Sequence, residues 1–98
     1  MEKRKLKIIF SPASQRDLER FEGQVILQLL KDIKSYLETS PLPYGKSRIK
    51  KMAGFNPPLY RLRSGDFRAY YRVDYPNIVI LAVTHKKDSE KILKKLNK

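Results

Sequence analysis

The chain has 98 residues, 41% hydrophobic and 33% charged, with no cysteine and a single histidine. That length suits one domain over residues 1–98. The missing cysteines exclude disulfides and thiolate metal sites, and one histidine without a carboxylate cluster beside it cannot build a metal centre, so no metal or cofactor is expected. The net charge of +12 calls for a polyanionic partner: nucleic acid, an acidic protein or an anionic membrane surface.

"LKIIF" (6–10) reads as a short strand rich in β-branched residues. The apolar run that begins there stops at Ser11-Pro12, too short for a secretion signal, and nothing approaches the ~20 apolar residues of a membrane span. By elimination the expectation is a soluble cytoplasmic protein with no membrane partner. Ser11 then suits a helix N-cap with Pro12 in the first turn, where its missing N–H costs nothing. This first helix is predicted to reach about Phe21 and to stop at Gly23. From Gln24 to Glu38, residues Val25, Ile26, Leu29, Leu30, Ile33 and Leu37 recur at spacings of three and four, as on an amphipathic helix.

Residues 39–58, "TSPLPYGKSRIKKMAGFNPP", are rich in proline and glycine and read as one long connection, a kind that is usually functional or mobile. It carries Lys46, Arg48, Lys50 and Lys51, candidate phosphate contacts. "LYRLR", "FRAYYRVD" and "IVILAV" follow as three strands, with turns at Ser64-Gly65-Asp66 and Tyr75-Pro76-Asn77. "DSEKILKKLNK" closes the chain as a basic helix with Asp88 as its N-cap. The predicted class is α+β: an N-terminal strand, a helical hairpin, then antiparallel strands in one sheet with helices on one face and a short C-terminal helix.

Charge is distributed unevenly. Residues 1–45 hold eight Lys and Arg against six Asp and Glu, a net of +2, whereas residues 46–98 hold fourteen against four, a net of +10. Within the second half, "YRLRSGDFRAYYRV" concentrates Arg61, Arg63, Arg68 and Arg72 on a predicted hairpin. Period-two alternation puts Arg68, Tyr70 and Arg72 on one face of their strand and Phe67, Ala69, Tyr71 and Val73 on the other. Arg61 and Arg63 likewise oppose Tyr60 and Leu62. The expected result is an apolar face toward the helices and a cationic face suited to bidentate contacts with phosphate, with Tyr70 able to stack on an unpaired base. Pairing of Arg63 or Arg72 with Asp66 or Asp74 is the alternative for those two residues. His85, Lys86 and Lys87 end the apolar strand, with His85 placed where it can meet the cationic face.

"PLYRLRSGDFRAYYRV" and "ILAVTHKKD" resemble the arginine hairpin and the basic strand end of the RelE/ParE superfamily of toxins from toxin–antitoxin systems, and the resemblance covers nearly the whole chain. It implies the RelE-like fold, an acidic antitoxin as protein partner, and one of two activities. RelE-like members cut mRNA in the ribosomal A site, through attack of a 2′-OH on the adjacent phosphate, and ParE-like members poison DNA gyrase. A non-catalytic RNA-binding module is the third reading. The RelE-like branch is favoured, which makes the ribosome and mRNA partners and the chain an endoribonuclease.

By motif position Arg68 corresponds to the arginine that clamps the phosphate, and Arg61 to a basic residue of the preceding strand. Lys86 corresponds to a basic residue after the last strand that is usually arginine, and it offers a point charge in place of a fork. The tyrosine that RelE uses for proton transfer is replaced by Ile92 or Lys91, which leaves His85, Tyr70 or a lysine for that task. The expected catalytic set is Arg68, Arg61, Lys86 and His85. The expected RNA contacts are Lys46, Arg48, Lys50, Lys51, Arg63, Tyr70, Arg72 and Lys87.

Overall fold

The computed structural model describes residues 5–44 and 48–97. The elements run β1 (Lys7–Phe10), α1 (Pro12–Leu18), α2 (Gly23–Leu37), β2 (Ile49–Met52), β3 (Leu59–Ser64), β4 (Phe67–Asp74), β5 (Asn77–His85), a 3-10 turn (Lys86–Asp88) and α3 (Ser89–Leu96). The strands form one sheet in the order β1-β5-β4-β3-β2. β1 lies parallel to β5 and the other pairs are antiparallel, giving the α+β class expected. Residues 39–58 are not one loop, because Ile49–Met52 adds an edge strand beside β3.

Ser11 caps α1 as predicted: its Oγ accepts the Ser14 N–H at 3.1 Å, and Pro12 takes the first helical position. Gly23 does not end this helix. α1 stops at Leu18 with a tightened turn, in which Arg20 and Phe21 donate to the carbonyls of Asp17 and Leu18. Gly23 is instead the first residue of α2.

α2 covers one face of the sheet. Leu29, Ile33 and Leu37, spaced by four, bury against Leu62, Ala69, Tyr71, Ile78, Ile80 and Val83. Leu30, expected in the same stripe, lies on its flank and is 38% exposed. The buried Ser64 hydroxyl donates to Asp32 Oδ2 at 2.6 Å and so fixes α2 against β3. α3 covers part of the opposite face, where Ile92, Leu93 and Leu96 pack on Met52, Leu59 and Tyr70.

β5 holds an irregularity. Tyr70 opposes Ala82 while Tyr71 opposes Ile80, so Leu81 is an extra residue, a β-bulge. Beyond Ile80, α1 takes over the edge that β1 occupies earlier in the strand. Ser11 donates its N–H to the Ile80 carbonyl and its Oγ to the Leu81 carbonyl. Asp17 Oδ2 accepts the Val83 N–H at 2.9 Å. Asp17→Ala leaves that N–H without its partner and is expected to cost about 1–3 kcal/mol, read as a lower urea midpoint.

Tyr71 is buried, and its hydroxyl donates to the Pro41 carbonyl. Burial first, and the neighbouring Tyr60 second, push its phenol far above the usual range. The unfolded chain therefore releases this proton first as pH passes about 10, so the raised group weakens folding on the alkaline side. Tyr71→Phe is expected to lose about 1 kcal/mol at neutral pH and to flatten the alkaline decline, in urea titrations on both sides of about pH 10.

Candidate functional site

The hairpin face opposite α2 is cationic because strand alternation and register align its basic residues. Lys50, Arg61, Tyr70 and Ala82 form one row across β2–β5, and Arg63, Arg68 and Thr84 lie in the next. Arg72 shares this face by parity but stands four residues along β4 from Arg68, about 13 Å. There it lines a separate cleft with Pro57, Pro58 and Asp74. The arginines that come together are therefore Arg61, Arg63 and Arg68.

The turn sets the position of Arg68. Gly65 has φ +57°, a conformation in which glycine is favoured, and the turn leads into β4 through Asp66. Arg68 Nη1 donates to the Gly65 carbonyl at 2.9 Å and to the Phe67 carbonyl at 2.8 Å, which folds the guanidinium onto its own turn. Burial, then the positive charges of Arg61 and Arg63, lower its pKa, and Tyr70 and Asp66 act the other way. None of the four hairpin arginines forms an ion pair among the described residues. Asp66 instead pairs with Lys86, Nζ to Oδ1 at 3.3 Å, and its carbonyl accepts the Lys86 N–H at 2.7 Å. Lys86 is thereby fixed beside the Arg68 turn.

The structure separates several residues that the sequence had grouped. Tyr70 is on the expected face but is 0% exposed, because α3 closes over its ring, so it offers no surface for stacking. His85 faces the other way: it opposes Phe67 in the register, and the two rings make an edge contact with centroids 5.2 Å apart. The extra residue Leu81 causes this by reversing the alternation of β5 beyond it. His85 Nδ1 also accepts the Lys87 N–H at 3.1 Å, capping the 3-10 turn. Arg48 turns toward α2, with its guanidinium 5.6 Å from the centre of the Tyr36 ring. Lys51 opposes Tyr60 and so lies on the α2 face, whereas Lys50 opposes Arg61 and stays with the cluster. Lys87 is exposed at the strand end, and Lys46 falls outside the described residues.

Two neighbours of Arg68 were not among the expected site residues. Thr84 stands opposite it in β5, and Asp66 supplies negative charge to the turn. Thr84 is placed by the bulge, which strand alternation does not reveal.

His85→Ala is expected to lower stability by about 1 kcal/mol, through the lost ring contact and cap. Because the ring faces away from the arginines, the same variant should leave the cationic face unchanged, read as wild-type retention on a heparin column.

Residues 8–90 match the family model described as the ParE toxin of type II toxin–antitoxin systems, parDE. No curated protein matches the chain. Among solved structures it is similar to a chain of the RelBE2 toxin–antitoxin complex from Mycobacterium tuberculosis, with 26% identity and a TM-score of 0.66 over 86% of this chain and 94% of that one. It is also similar to a chain of the archaeal RelE–RelB complex from Pyrococcus horikoshii, with 25% identity and a TM-score of 0.68 over 84% and 96%. The YoeB dimer from Staphylococcus aureus, 20% identical with a TM-score of 0.67 over 83% and 97%, shares the fold.

Proposed function

The chain belongs to the ParE toxin family of type II toxin–antitoxin systems, within the RelE/ParE superfamily, and from that premise we propose that it is a RelE-like toxin that cleaves mRNA on the ribosome. The observation that carries this reading is the group Arg61, Arg63 and Arg68, held on one face with no carboxylate among the described residues pairing any of them. In the proposed reaction a 2′-hydroxyl gives up its proton as its oxygen attacks the adjacent phosphorus, the bond from phosphorus to the 5′-oxygen breaks as that oxygen takes up a proton, and a 2′,3′-cyclic phosphate remains. Negative charge builds on the non-bridging oxygens in the transition state. Preorganised cationic donors stabilise that charge without having to reorganise.

Arg68 is the principal donor in this reading, since its own turn carbonyls orient it. Arg61 lies in the next row of the face, and Lys86 adds a charge at the turn. Arg63, Lys50 and Lys87 extend the basic surface for RNA. An acidic antitoxin is the protein partner, covering a face whose like charges otherwise repel. The similar Mycobacterium chain comes from a toxin–antitoxin complex, and the similar Pyrococcus chain from a RelE–RelB complex.

A second reading is favoured by two observations: the matching family model is that of the ParE toxins, and His85 lies off the arginine face. In it the same surface engages DNA gyrase and cleaves nothing. Primer extension on mRNA from a translating extract separates the two. Ribosome-dependent cuts that weaken roughly 10²–10³-fold in Arg68→Ala are expected. Intact mRNA together with inhibited supercoiling would select the gyrase reading.

A further inference from the structure

Among the described residues, two side-chain polar atoms are buried without a hydrogen-bond partner: the Tyr70 hydroxyl and Arg61 Nε. The two residues oppose each other in the β3–β4 register, so their Cβ atoms are cross-strand neighbours about 5 Å apart. Tyr70 is fully closed to solvent, its ring held by packing in the cluster that Ile92, Leu93 and Leu96 of α3 join. Phenylalanine would fill this space equally well without a buried hydroxyl, and an unpaired buried hydroxyl is destabilising.

The two groups do not pair with each other, although a phenol oxygen can accept from a guanidinium N–H. Arg68, in the adjoining row, adds further donors. Arg61 and Arg68 can only donate, and a phenol can donate as well. The acceptor that fits such a group is an anionic oxygen.

We infer that the Tyr70 hydroxyl is the third donor of a phosphate site, hydrogen-bonding an anionic phosphate oxygen held between Arg61 and Arg68. This rests on the reading of the arginine face as a phosphate-binding surface, and it assigns that surface a neutral donor in addition to its charges. Packing fixes the ring in place, so the donor is preorganised. An incoming oxygen has to part the side chains over the two atoms, which makes phosphate affinity sensitive to how α3 packs.

Thermal unfolding of the full chain, titrated with inorganic phosphate against chloride at matched ionic strength, tests the site, because a ligand that binds only the folded state raises its midpoint in proportion to affinity. Tyr70→Phe should unfold no earlier than wild type without phosphate, yet bind phosphate about tenfold more weakly. In wild type the Tyr70 ring-carbon resonance next to the hydroxyl should shift as phosphate is added. Wild-type phosphate affinity in Tyr70→Phe, with Arg68→Ala impaired, overturns the role of the tyrosine and leaves the arginine site standing. Earlier unfolding of Tyr70→Phe without phosphate also overturns it, because the hydroxyl would then be a structural group. No phosphate effect in wild type overturns the phosphate reading of the whole face, and the tyrosine with it.

Discussion

The extra residue in β5 determines what each face of the sheet presents at its functional end. Without the bulge, with Leu81 kept in regular alternation from Ile78 and Ile80, Thr84 would fall on the α2 side and His85 on the arginine side. With it, Ile80 and Val83 both reach the core, Thr84 stands beside Arg68 and His85 packs on Phe67. A bulge disturbs the regular ladder, and here α1 supplies partners along that edge through Ser11 and Asp17. The helix start encoded by Ser11-Pro12 and the composition of the arginine face therefore depend on each other.

The hairpin was the most legible part of the sequence. Alternation of arginines with apolar residues over β3 and β4 is a period-two signal that needs no knowledge of other elements, and it placed Arg61, Arg63 and Arg68 on one face. The core stripe of α2 was legible for the same reason, through Leu29, Ile33 and Leu37. β2 was hidden because "IKKM" is four residues long, lacks alternation and lies among prolines and glycines. Tyr70 could be assigned to a face but not to a depth, since its burial comes from α3, a separate element. His85 was misplaced because a bulge leaves no mark in residue type. Periodicity reports on one element at a time, and these features arise between elements.

Charge on the site is concentrated by the same geometry. Burial, and after it the charges of Arg61 and Arg63, lower the pKa of Arg68, so the three cations sit together unfavourably. Asp66 offsets part of this at the turn while pairing with Lys86. α3 adds to the field, because it packs Ile92, Leu93 and Leu96 against the sheet and leaves Lys91, Lys94 and Lys95 exposed. A surface of this kind attracts polyanions over distances set by salt, about 8 Å at physiological ionic strength, and close packing at the hairpin then selects among them.

The parallel pairing of β1 with β5 also governs the order in which the protein is completed during its own synthesis. Lys7 must find Asn77, and Phe10 must find Ile80, so β1 waits for a strand made only after β2, β3 and β4. Contacts this distant in sequence slow folding. They also delay the arginine face, whose middle strand β4 lies between β3 and that same late strand. A nascent chain that has emerged only through its arginine hairpin lacks the β5 neighbour that fixes one side of the site. Assembly of the basic surface is thereby tied to the emergence of β5.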